Sequence, residues 1–233
     1  MTAAARSQLS ARDAVALVQG FYFLFFGGMV SVVFTAELAV ASSPRPFSTL
    51  LCAGSLTAML AGAWRLHQVK HLGPEWRKSA TALLLTTALL VYLFPFLWAW
   101  RQIPQSLYFC SHALAFLGLL IVTMMVMSVV SAALAHALGQ KGLRWQLVFS
   151  LVSAALIQLA PFSYLAHRVA SRAIRSEEMI LWLQAIFVRL HMFWIMLWLL
   201  PFTLALSLVW IAKDIALERL LGLEPEASAP ANP

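Results

Sequence analysis

The sequence predicts an all-α, polytopic integral membrane helix bundle with six transmembrane helices, and three observations predict it. Hydrophobic residues make up 62% of the 233 and charged residues 11%, against about 25% charged in a soluble domain. The apolar residues fall in six continuous blocks, each near the roughly 20 residues a helix needs to cross about 30 Å of hydrocarbon. Lysines and arginines gather in the connections between those blocks. The runs are continuous rather than alternating, which selects helices over the strands of an outer-membrane barrel.

An interfacial N-terminus, 1–13, carries Arg6 and Arg12 and leads into the first span, 14–36. Ala39-Val40-Ala41 resembles a signal-peptidase site, but the apolar run before it exceeds the roughly 7–15 residues of a signal peptide, so a retained helix is expected. The second span is 47–64, the third 80–100, the fourth 107–138 and the fifth 146–166. Arg168, Arg172 and Arg175 then follow an i, i+4, i+7 pattern opposite Val169, Ala170, Ala173 and Ile174, which predicts a helix lying in the membrane plane. From Met179 to Ala212 is 34 residues, about 51 Å of helix, too long for one upright span. The segment is therefore divided into a short outer helix, 177–190, and a sixth span, 192–212. Residues 213–233 form an amphipathic turn and a tail, which from Glu224 onward is too polar to bury apolar surface and reads as disordered.

Charge asymmetry sets the expected orientation. With the N-terminus in the cytoplasm, that side holds Arg6, Arg12, Arg65, Lys70, Arg77, Lys78, Lys141, Arg144, Lys213 and Arg219, against Arg45, Arg101, Arg168, Arg172, Arg175 and Arg189 outside. Both termini are then cytoplasmic. Trp64, Trp76, Trp145 and Trp210 fall near the inner surface and Trp98, Trp100, Tyr108 and Tyr164 near the outer one, as aromatic belts do.

Three sets of residues stand out against this layout. Glu37, His112, His167, Arg189 and His191 fall near one outer level, where they would serve as an ion pair, a proton relay or a Glu-plus-His metal site if they converged, or as ordinary interfacial groups if they did not. Pro95, Pro161 and Pro201 each remove a helical hydrogen bond, freeing the carbonyls of Val91, Ile157 and Leu197. The connection from Arg65 to Ser79 carries His67, His71, Glu75, Arg77 and Lys78. Read as an extension of the second helix, it puts His67 and His71 on one face before Gly73-Pro74 turns the chain, which suits a docking surface for a cytoplasmic partner, a two-His metal site, which alone half fills a zinc shell, or an ordinary basic interfacial loop.

Other classes are excluded or unsupported. The net charge of +7 sits in short clusters between apolar blocks, so loop topology accounts for it and nucleic-acid binding is not expected. Cys52 and Cys110 lie within spans without a C-x-x-C partner, which indicates neither a disulfide framework nor a zinc module. The chain has no H-E-x-x-H, G-x-S-x-G, Walker A or G-x-G-x-x-G, so no catalytic residue, metal or cofactor is assigned.

In layout, six spans with both ends inside, an amphipathic cytoplasmic connection between spans two and three, and outer interfacial helices between five and six look similar to the permease subunits of ATP-binding-cassette exporters. The resemblance covers the whole chain, rests on no motif and carries over no residue roles. It implies a permease-type transport component in the bacterial inner membrane, a homodimer or part of a larger membrane complex, whose 65–79 connection docks on a separate cytoplasmic ATPase. The competing expectations are a non-transporting accessory subunit and a membrane redox or metal-binding enzyme using the outer Glu and His residues.

Overall fold

Ser10 starts the first helix by capping it: its hydroxyl oxygen accepts from the Asp13 amide at 3.1 Å and its proton goes to the Asp13 carboxylate at 2.9 Å, satisfying a donor that the first turn leaves orphaned. In the computed structural model, which describes residues 10–40, 46–140, 143–171, 175, 178–179, 181 and 192–221, this helix, α1, spans Ala11–Val40. It is followed by α2 (Pro46–Gln68), α3 (Pro74–Gln102), α4 (Leu107–Ala137), α5 (Leu143–Ala170) and α6 (Met192–Leu220). All six are long and apolar enough to cross a membrane, and no strand occurs among the described residues. The architecture is that of a multi-pass helical membrane protein.

Five of the six helices extend beyond their hydropathic blocks at ends that carry polar residues, while α4 matches its block to within one residue. α6 runs past Ala212 to Leu220, so Lys213 and Arg219 stand on a helix rather than in a turn. α5 continues through His167–Ala170, so the first residues of the expected in-plane helix belong to the fifth span instead. The rest of that helix and the outer helix 177–190 lie mostly outside the described residues.

Consecutive helices pack antiparallel. Glu37 at the end of α1 meets Ser48 at the start of α2, and Phe94 of α3 meets Phe116 of α4 with ring centroids 6.3 Å apart. Ser128 late in α4 meets Ser150 early in α5. α6 closes the bundle between α1 and α4, and α5 lies at the periphery against α4 and α6. The core between them is built from Leu17, Phe21, Leu24, Met59, Leu66, Phe116, Met127 and Val209. Six crossings return the chain to the end where it started: Tyr22 packs on Trp210, centroids 6.3 Å apart, and the buried Lys213 ammonium sits 3.4 Å from the Trp210 centroid and 5.2 Å from that of Tyr22. Asp214 completes this cage with an ion pair to Lys213 at 2.6 Å.

Two helical seams differ in chemistry. Along α1–α2, glycines bring the backbones together: a Cβ on Gly62 would lie 2.7 Å from the Gly20 carbonyl oxygen, and one on Gly27 would lie 2.8 Å from that of Ser55. Small residues permit such approach between membrane helices, where close packing replaces a hydrophobic driving force. The seam continues outward as a ladder in which the Ser31 hydroxyl lies 3.4 Å from the Met59 sulfur, Thr35 3.5 Å from Cys52, and Ser48 donates to Glu37 at 2.8 Å. The second seam runs along α5 against α4 and α6, where short serine contacts and a glutamine replace the glycines.

Candidate functional site

α5 carries polar side chains in the middle of its buried face. Its buried positions are Leu143, Ser150, Ser153, Ala154, Gln158, Leu165 and Val169, so apolar residues at both ends flank a central stretch of two serines, an alanine and a glutamine, while Val148, Phe149, Val152 and Leu156 are exposed. Apolar side chains outward and polar ones inward is the arrangement of a span that faces lipid on one side and a polar interior on the other.

Local backbone chemistry brings Gln158 onto that inner face. Pro161 has no N–H to give and its ring crowds the preceding turn. The helix widens just before it, with a π turn over Ala154–Leu159 in which the Ala160 amide donates to the Ala155 carbonyl, five residues back. Bonding at i→i+5 aligns residues five apart, so Gln158 comes round to the face that carries Ser153. Such π turns recur at functional sites.

The contacts of this face reach two neighbouring helices. Ser150 lies 3.1 Å from Ser128 of α4, whose hydroxyl also lies 3.2 Å from the Met124 carbonyl oxygen. Ser153 donates to the Ser150 carbonyl at 3.0 Å. Gln158, 1% exposed, donates through Nε2 to the Trp198 carbonyl of α6 at 2.9 Å. Its Oε1 is buried with no hydrogen-bond partner among the described residues. An amide held by one end, with an unsatisfied acceptor in a low-dielectric setting, is costly to keep for packing alone.

The three prolines therefore stand in different settings. Pro95 is exposed and Pro201 buried, each inside a helix that continues through it. Pro161 alone is preceded by a wide turn among the described residues. Pro201 lies three residues beyond Trp198, so the Gln158 contact joins two proline-bearing stretches.

The residues expected to converge at one level, Glu37, His112 and His167, share no contact among the described residues. Glu37 is engaged by Ser48. His112 is stacked on Phe96 at 4.6 Å and its Nδ1–H donates to the Tyr108 carbonyl at 2.8 Å. His167 is exposed on the last turns of α5, and Arg189 and His191 lie outside the described residues. No group of three His, Cys, Asp or Glu close enough to hold a metal occurs among the described residues.

The α2–α3 connection takes a different form from the expected helical extension. α2 ends at Gln68, the chain turns at His71-Leu72, and Gly73 adopts φ 104°, a conformation that favours glycine, before Pro74 opens α3. His67 stays on the helix within 3.4 Å of the Thr81 hydroxyl, while His71 does not. Trp76 pins the turn: it is buried, and its indole N–H donates to the Val69 carbonyl at 2.7 Å. His71, Glu75, Arg77 and Lys78 are left exposed on a fixed frame.

Two of the tryptophans expected in the aromatic belts, Trp76 and Trp100, are instead enclosed, whereas Trp64, Trp98, Trp145, Trp210, Tyr108 and Tyr164 are exposed. No family model, curated protein or solved structure matches the chain.

Proposed function

We propose that this protein is a permease-type component of a membrane transport system, with the inner face of α5 as one wall of the path for a polar solute. The observation that carries the reading is the polar middle of α5's buried face: between buried Leu143 and Leu165 its buried side chains are two serines, an alanine and a glutamine whose Oε1 has no hydrogen-bond partner among the described residues. Polar groups inside a membrane bundle join helices when each is paired; Gln158 Oε1 is buried without a hydrogen-bond partner among the described residues, and transporters use broken helices at mid-membrane to present such groups to substrate. The π turn before Pro161 supplies such a break in α5, and the bond from Gln158 to the Trp198 carbonyl ties it to α6 three residues before Pro201.

In this reading the chain lies in the bacterial inner membrane with both termini cytoplasmic, as the Lys and Arg balance favours. The exposed Arg77 and Lys78, on a connection held rigid by Trp76, then face the cytoplasm and dock a separate ATPase. The test is co-purification of the full tagged chain from native membranes. An ATPase is expected in the complex, lost in the double charge reversal Arg77→Glu with Lys78→Glu. A stable stand-alone protein, unaffected by the reversal, would count for a non-transporting role instead.

A further inference from the structure

The hydroxyl protons on the inner face of α5 are all spent. A serine hydroxyl has one proton to give and two lone pairs to receive with. Ser128 gives its proton to the Met124 carbonyl, so Ser150 is the donor in the 3.1 Å contact between the two serines, and Ser153 donates to the Ser150 carbonyl. Gln158 gives one amide hydrogen to the Trp198 carbonyl and keeps one. Acceptors are in excess: Gln158 Oε1 is buried with no partner among the described residues, and the Ser153 oxygen keeps its lone pairs. On α6 the Leu197 carbonyl, one residue before Trp198, loses its helical donor to Pro201, which has no N–H. The surroundings are uncharged. Residues 113–135 of α4, 145–166 of α5 and 192–212 of α6 include no Asp, Glu, Lys, Arg or His.

We infer that the solute taken by this face is small, neutral and a hydrogen-bond donor, of the primary-amide class; this rests on the reading of α5 as one wall of a path. An oxygen left unpaired in a low-dielectric interior recovers its lost hydrogen bond only from a ligand that donates. A carboxylate or other anion brings acceptors alone, and would set oxygen against oxygen. A cation suits the lone pairs, but no acidic side chain on these stretches offsets its charge, which is costly at membrane depth. A primary amide answers both demands. Its N–H donates to Oε1 and its carbonyl accepts the remaining Nε2 hydrogen, so the two amides pair edge to edge and both stay neutral.

The experiment measures protection of Ser153→Cys in native membranes, in the full chain with Cys52 and Cys110 replaced by alanine. A small, positively charged thiol reagent modifies the cysteine in the presence of acetamide, acetate or ethylammonium at one concentration and one ionic strength. The three solutes match in size and differ in charge and donors. Acetamide is expected to slow the modification and the two ions to leave its rate unchanged. Adding Gln158→Leu should raise the acetamide concentration for half-protection about fivefold, the worth of one hydrogen bond. Gln158→Met serves the same purpose should the leucine variant not fold. Modification that none of the solutes slows, or that acetate or ethylammonium slows as much as acetamide does, overturns the inference and leaves the path standing. Protection by acetamide that survives substitution of Gln158 does the same. A Ser153→Cys that fails to react even without solute removes the path itself, and the inference with it.

Discussion

The α1–α2 seam and the inner face of α5 both place hydroxyl groups inside the bundle, and they use them in opposite ways. Along α1–α2 the polar groups are matched to partners: Ser48 with Glu37, Thr35 with Cys52, Ser31 with the Gly28 carbonyl and the Met59 sulfur. The glycines beneath them allow backbone contact too close for any side chain. On α5 the helix is widened, the seam is made of short serine contacts, and Gln158 keeps an acceptor without a partner. Fully satisfied polar groups rigidify a core, while unsatisfied ones mark strain or function. The first seam has the chemistry of a scaffold, and the second, with its unpartnered acceptor, is the one to which the proposal assigns a path.

That contrast can be broken by substitution. The largest effect is expected at the scaffold. Gly62→Ala and Gly27→Ala put a methyl within 2.8 Å of a facing carbonyl oxygen, and overpacking of that kind costs about 1–3 kcal/mol. Gly54→Ala, where nothing lies within 4 Å, should be neutral or gain up to about 1 kcal/mol from helix propensity. Thermal unfolding in detergent measures all three, and equal effects would mean that the seam is not close-packed. A middle effect is expected at Trp76→Phe, which keeps an aromatic ring but loses the pyrrole part of the buried indole and its hydrogen bond to Val69. The loss should be about 1–2 kcal/mol from the hydrogen bond and the smaller side chain together, accompanied by faster proteolysis of the 65–79 connection. The smallest is expected at Gln158→Leu. It removes a single hydrogen bond together with the unpartnered Oε1, so unfolding should shift by less than about 1 kcal/mol. A loss of several kcal/mol there would make α5 a second scaffold and remove the distinction.

Hydropathy made the six spans legible because membrane thickness acts on every residue of a span alike. α4 begins at Leu107, as its hydropathic block does. What each helix faces is decided by its neighbours, and composition does not carry that. Trp76 and Trp100 have the composition of belt residues, yet one locks a turn and the other fills the core. Lys213 counts as a loop charge by position, but the continued helix tucks it between Tyr22 and Trp210. Pro161 was visible as a break; Gln158, three residues earlier within the same apolar span, was the accessible sign of a polar face, and only the π turn shows why it joins Ser153. The outer set of Glu37, His112 and His167 shared a level along the membrane normal, but a common depth does not specify the angle at which each helix presents its side chain.

The most direct test of the working surface is the rate at which a small, water-soluble, positively charged thiol reagent modifies Ser153→Cys in native membranes, in a background with Cys52 and Cys110 replaced by alanine. Both native cysteines are buried, and Leu156→Cys on the exposed face of the same helix serves as the lipid-facing reference. If α5 lines a path for a polar solute, Ser153→Cys reacts and Leu156→Cys does not. If Ser153→Cys is as silent as Leu156→Cys, the serine and glutamine face is a sealed packing contact, and the account of α5 as a transport surface is wrong.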